Sequence, residues 1–244
     1  MRDFVLEKLK DFDDPNFVFD AKWHKYTYNG KPFESVTKFI QKFHKEFDSS
    51  FWSKKKAEER GVDVSVILEE WKYKNDRANE IGTATHNWIE NYFNGIHQQI
   101  PSDLDIVERI NKFNLIYSTH LHKLTPIKFE QRVFSKKWGL AGTFDALFLW
   151  KDKLAILDWK TNKEFTIENS YGEKLLEPFQ EYDKCHLNEY SIQISMYSLI
   201  LQEIGLDVRV GYILYIGPND EPKIHRCHDY KDILRNYLNE KNPL

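Results

Sequence analysis

At Ile127 the periodicity of this chain switches from that of helices to that of strands. Three β-rich runs follow closely, Ile127–Phe134, Leu140–Trp150 and Leu154–Thr161, separated by short polar turns. Turns that short join antiparallel neighbours, so the three runs read as a meander. A helical pattern over Glu189–Ile204, a strand at Val208–Ile216 and a terminal helix around Tyr230–Asn239 come next. Ahead of the meander, Asn29-Gly30 between aromatic residues marks a hairpin within 22–34. Ser35-Val36-Thr37 then offers hydroxyl caps for a helix through Phe43. Residues 51–93 read as two or three helical pieces broken near Gly61 and Gly82, and a further helix spans 103–121. The order helix, three strands, helix, strand implies an α/β fold whose mixed sheet contains an antiparallel section, behind a helical N-terminal lobe.

The 244 residues suffice to bury a substantial core. We expect residues 1–77 to form a hairpin and helical lobe packed on a core of residues 78–244, as one compact unit. No apolar run approaches the ~20 residues of a membrane helix, and the charged N-terminus lacks a signal-peptide core. Two cysteines, Cys185 and Cys227, are too few for a four-thiolate iron–sulfur or zinc site and do not spell a disulfide framework. These features fit an intracellular, reducing compartment and no membrane partner. A net charge of −3 argues against a tight, purely electrostatic DNA binder, but not against an enzyme whose metal ions supply positive charge locally. Lys54-Lys55-Lys56 and Lys136-Lys137 could touch phosphates, although a solvated face is the commoner use of such runs.

The chemistry concentrates at Asp158-Trp159-Lys160, thirteen residues after Asp145. Metal-assisted phosphodiester hydrolysis needs carboxylates that hold a divalent metal at the scissile phosphate. It also needs a lysine that orients the attacking water or neutralises developing charge. Asp158 and Lys160 project from one strand face about 7 Å apart, while Trp159 points the other way and leaves its main-chain carbonyl near the site as a further ligand. A two-residue loop at Lys151-Asp152 pairs Trp150 with Lys153 and sets Asp145 opposite Asp158; a four-residue loop sets it opposite Lys160. An even register, or a bulge that restores it, therefore gathers all three groups.

Glu130 is a possible third acid on the preceding strand, binding metal through water or pairing with Lys128, Arg132 or Lys160. His86 lies at the edge of an apolar stripe built from Ile81, Ala84, Trp88, Ile89, Tyr92 and Phe93, placed to reach from a packed helix into a cleft. Gln193 and Tyr197 share one flank of a later helix, where they could bond a nucleic-acid strand or brace the metal ligands. Residues 162–187 form a long irregular connection beside the site, a length more often functional than accidental.

Together, Gly82-Thr83-x-x-His86, Gly142-Thr143-x-Asp145, Asp158-Trp159-Lys160-Thr161 and Gln193-x-x-x-Tyr197 resemble, in order, the motifs of the PD-(D/E)XK nuclease superfamily in its RecB-like exonuclease branch. The resemblance covers about residues 78–216. Ser35-Val36-Thr37 is similar to an N-terminal element of mitochondrial genome maintenance exonucleases and viral relatives. The resemblance implies an α-β-β-β-α-β restriction-endonuclease-like core that cleaves DNA with one or two Mg²⁺ or Mn²⁺ ions. It implies His86, Asp145, Asp158 and the Trp159 carbonyl as metal ligands and Lys160 as the catalytic lysine. Gln193 and Tyr197 match an accessory motif, with Glu130 and Thr161 as further accessory or DNA-contacting positions. No phosphate-binding glycine loop for a nucleotide appears, and no iron–sulfur cluster is expected.

The reading is thus a free-standing exonuclease acting on single-stranded DNA or DNA ends, with replication or recombination proteins as possible partners. A structure-specific or defence-type endonuclease could use the same residues. A non-catalytic nucleic-acid-binding module would gain little from buried like charges.

Overall fold

A computed structural model describes residues 1–218 and 220–241. Helix α1 (Arg2–Leu9) leads into strands β1 (Phe17–Asp20), β2 (Lys25–Tyr28) and β3 (Lys31–Ser35). Asn29 and Gly30 both adopt left-handed backbone, at φ 50° and 73°, and close the expected tight turn between β2 and β3. Ser35 Oγ accepts from Lys38 N at 3.1 Å and caps α2 (Val36–Gln41). Helices α3 (Ser49–Arg60), α4 (Val64–Phe93) and α5 (Leu104–Thr119) follow. The chain then runs through β4 (Thr125–Ser135), β5 (Leu140–Trp150), β6 (Lys153–Lys160), α6 (His186–Glu203), β7 (Val208–Tyr215), β8 (Lys223–Arg226) and α7 (Lys231–Lys241).

The expected helix, three strands, helix, strand order is present, as a mixed sheet in which β4–β5 and β5–β6 are antiparallel and β6–β7 parallel. Short β1 and β8 escaped the sequence reading because four residues are too few to establish a period. The N-terminal hairpin extends the same sheet, since β3 pairs in parallel with β5 at Glu34↔Leu140 and Ser35↔Ala141. Helices cover both faces. On one, Ile192, Met196 and Ile200 of α6, with Phe39 and Leu234, bury Leu147, Ile156 and Ile213. On the other, Ile89 of α4 and Phe113 and Ile116 of α5 bury Phe148, Leu157 and Trp159.

One expectation is corrected. Gly61 ends α3 in left-handed backbone at φ 64°, but Gly82 breaks nothing: α4 runs 30 residues straight through it. A Cβ at Gly82 would sit 3.3 Å from Thr161 Oγ1 at the end of β6. The missing side chain therefore lets the helix approach the strand end closely, a packing reason that local helix propensity does not reveal.

The β5–β6 hairpin closes through the two-residue loop, with Trp150↔Lys153 paired and Lys151 at φ 54°. The register continues to Ala146↔Leu157, so by count the next pair is Asp145 with Asp158. There the two strands part: β6 stays paired with β7 as far as Lys160↔Tyr215, while β3 meets β5 further along at Leu140 and Ala141. A fork in the sheet opens at the two aspartates.

Candidate active site

The fork frees backbone groups, and side chains take them up. Trp159 N donates to Asp145 Oδ2 at 2.7 Å, so a carboxylate stands where a β5 carbonyl would be. The Trp159 carbonyl is 3.1 Å from His86 Nε2; a carbonyl only accepts, so Nε2 carries the hydrogen. The Trp159 ring lies on the opposite face, 1% exposed and edge-on to Phe113 at 5.7 Å. The D-x-K alternation thus anchors the strand on one side and presents Asp158 and Lys160 on the other.

His86 reaches this point from α4. Its Nδ1 lies 3.5 Å from Glu130 Oε1 and 3.6 Å from Asp145 Oδ1. Ligand atoms of His86, Glu130 and Asp145 all fall within 4.8 Å of one another, a spacing that could hold a metal ion. Glu130 enters the group through an unusual backbone. By register it stands opposite Asp145, between the pairs Phe129↔Ala146 and Gln131↔Phe144, and its φ of 45° is left-handed. A non-glycine residue in that region stores strain, and such outliers cluster at functional sites. Nothing in the local sequence of β4 signals it.

Asp158 lies outside that three-residue group but belongs to the same electrostatic cluster. Its Oδ2 makes an ion pair with Lys160 Nζ at 2.7 Å, without good hydrogen-bond alignment. Asp145 and Asp158 are 8% and 2% exposed, so their charges are poorly solvated. Burial and then Asp158 push the Asp145 carboxyl well above the usual range, with His86 opposing. Burial pulls the His86 imidazole down, but Asp145, Glu130 and Asp158 outweigh it and hold its pKa up at about 9. Burial likewise opposes the charge on Lys160, and Asp158, Tyr190 and Asp145 together raise its pKa regardless.

A divalent cation fits these residues. Among the described residues Glu130 Oε1 is buried without a hydrogen-bond partner, and three carboxylates crowd one imidazole. A cation binding there would relieve the like-charge repulsion and displace a proton from His86.

The remaining sequence candidates divide. Thr161 lines a cleft of about 450 Å³ with Asn79, Gly82, Thr83, His86, Asn87, Glu130, Lys160, Asn162 and Tyr190. Gln193 and Tyr197 lie on α6, and Gln193 Nε2 donates to the Tyr197 hydroxyl at 3.2 Å. Tyr197 is 2% exposed and packs where a Cβ on Gly142 would stand. That pair braces β5 from behind, and neither residue lines the cleft. Thr143 is held from the other direction by the Tyr26 hydroxyl at 3.3 Å, a contact between β2 and β5 that sequence alone could not pair. Tyr190, one helical turn before Gln193, brings its ring against Lys160 Nζ.

No protein-family profile matches this chain. It is similar to the RecB subunit of the RecBCD enzyme of Buchnera aphidicola subsp. Baizongia pistaciae, with 27% identity over 165 residues. That match covers 65% of this chain and 13% of the length of the Buchnera protein. A solved structure from Eubacterium rectale, provisionally described as an exonuclease, superposes with a TM-score of 0.40 and 14% identity, over 98% of this chain and 77% of that one. Among the described residues no helix is long and apolar enough to cross a membrane. Four motifs in order, the helix, three-strand, helix, strand core and the distant similarity to RecB are together consistent with a RecB-like nuclease of the PD-(D/E)XK type.

Proposed function

We propose that this chain hydrolyses phosphodiester bonds of DNA with Mg²⁺ or Mn²⁺, as an exonuclease acting on single strands or free ends. The observation that carries the reading is the fork between β5 and β6, where His86, Glu130, Asp145, Asp158, the Trp159 carbonyl and Lys160 meet beside one cleft. His86, Asp145 and Asp158, with Glu130 and the Trp159 carbonyl at hand, would hold the ion. When bound, a divalent cation there supplies positive charge to the scissile phosphate and lowers the pKa of an attacking water. Lys160, kept protonated by Asp158, places its ammonium against the phosphate and neutralises charge as the bond breaks. Asn79, Thr83, Asn87, Thr161 and Asn162 give the cleft neutral hydrogen-bonding groups that grip a strand without reading its bases. The preference for ends rests on the motif set, and the similarity to one subunit of a larger enzyme supports a search for protein partners.

The test compares linear single-stranded DNA labelled at one end with a closed single-stranded circle, under Mg²⁺, Mn²⁺ or EDTA. Metal-dependent loss of the linear substrate alone is expected. Cutting of the circle would replace the exonuclease reading with the endonuclease one. Lys160→Ala is expected to slow the single-turnover rate by about a hundredfold to a thousandfold and leave DNA affinity within about threefold. A normal single-turnover rate with weakened binding would remove Lys160 from the chemistry.

A further inference from the structure

Among the described residues, Lys160 Nζ lies 2.7 Å from Asp158 Oδ2 and over the face of Tyr190, whose ring centroid is 4.2 Å away. An ammonium over an aromatic face is attracted by the ring quadrupole, most strongly where water is scarce, and the Lys160 side chain is only 18% exposed. The ring is itself backed. His186 stacks on it at 5.9 Å and 24°, and Phe165 lies at 6.0 Å and 32°. These two are tied together at the ends of the irregular 162–187 segment. Thr166 N donates to His186 Nδ1 at 3.1 Å, and His186 N donates to Thr166 Oγ1 at 3.1 Å. Phe165 also stacks on His225 at 4.4 Å. A cluster of rings therefore packs around Tyr190, built in part from the long connection whose purpose the sequence left open.

Asp158 cannot restrain Lys160 by itself. In the proposed reaction its carboxylate also serves the cation, whereas Tyr190 is not among the groups that would hold the ion. We propose that Tyr190 is a positioning residue for Lys160: its ring, backed by Phe165 and His186, holds the ammonium at the cleft while Asp158 is engaged elsewhere. This deepens the proposed nuclease function and rests on it for the role of Lys160.

Three variants test it. Tyr190→Phe keeps the ring and is expected to retain the parent kcat within about twofold. Tyr190→Leu removes it and is expected to lower kcat about ten- to thirtyfold with little change in KM for single-stranded DNA. In a Lys160→Ala background, Tyr190→Leu is expected to cost nothing more, because the ring acts only through the lysine. A rise in KM at constant kcat would mean that the ring holds substrate, and an additive loss in the double variant would mean that it supports the fold; either overturns the proposal.

One readout needs no activity. In a ¹H–¹³C spectrum the Lys160 ε-methylene resonance, assigned by its disappearance in Lys160→Ala, is expected to be shifted upfield by the ring current. That shift should persist in Tyr190→Phe and vanish in Tyr190→Leu. An unshifted ε-methylene in the parent overturns the contact itself. A parent that shows the ring-current shift but cuts no DNA overturns the nuclease reading while leaving the contact in place.

Discussion

Replacing Asp145 or Asp158 by asparagine is expected to cut turnover by at least about a thousandfold and to leave the fold in place. Asparagine keeps the shape of the buried carboxyl, and at 145 it keeps an acceptor for Trp159 N, now 2.7 Å from the carboxylate. What it removes is charge from a cluster where burial and a neighbouring aspartate already raise the Asp145 pKa. The metal-free Asp145→Asn variant should therefore melt no lower than the parent, with up to about 2 kcal/mol gained by relieving like-charge burial, whereas Asp158→Asn, which takes the 2.7 Å partner from Lys160, should melt lower. The parent should in turn be stabilised by metal, by about 2.7 kcal/mol at a hundred times the dissociation constant, and the variants by much less. Thermal melts with Mn²⁺ and with EDTA, run beside turnover on labelled single-stranded DNA, separate the outcomes. Inactive variants that keep the full metal-induced stabilisation would show that the carboxylates serve something other than the cation. Variants that unfold would assign them to structure.

Gly142→Ala is the second large effect, and it acts on stability. The new Cβ would come 2.7 Å from Tyr197 Cε1 and 2.9 Å from its hydroxyl oxygen, closer than real Cβ contacts come. Tyr197 cannot easily retreat, being 2% exposed and bonded to Gln193. Overpacking of a dense core typically costs about 1–3 kcal/mol, and here we expect the upper end, with a several-degree fall in melting temperature. Because β5 carries Asp145 three residues on, metal affinity should fall as well. Chemical denaturation of Gly142→Ala beside Gly139→Ala makes the comparison. Gly139 is a turn position at φ 63° with open space for a Cβ, so its cost is backbone strain alone and metal affinity should hold. Equal losses of metal affinity in the two variants would remove Tyr197 from the support of the site.

The Gly142–Tyr197 contact shows how far each level of information reaches. The sequence displayed Gly142-Thr143-x-Asp145 and Gln193-x-x-x-Tyr197 as two separate patterns with no sign that one packs on the other. Their meeting depends on α6 crossing the sheet behind β5, a long-range fact with no local signature. Gly82 misled for the same reason. Read locally it weakens a helix, yet its value lies in the approach of Thr161 from a strand far along the chain.

The hairpin was legible because its cause is local. Lys151-Asp152 is the shortest loop between two strongly apolar runs, and side-chain alternation with period two then dictates which residues face each other. That arithmetic turned Trp159 to the opposite face and left Asp145 facing either Asp158 or Lys160; the two-residue loop of the folded chain selects Asp158.

The order of the elements, an even register between β5 and β6 and the candidate acid, acid and lysine near the end of that hairpin are therefore legible in the chain alone. These depend on turn chemistry and on periodicity, which act over a few residues. The left-handed backbone that brings Glu130 to His86, the ring of Tyr190 against Lys160 and the contact of Tyr197 with Gly142 emerge only in the packed fold. Those depend on where α4 and α6 come to rest against the forked sheet. Helix docking is set by packing and desolvation summed over the whole core, and no short stretch of sequence encodes it.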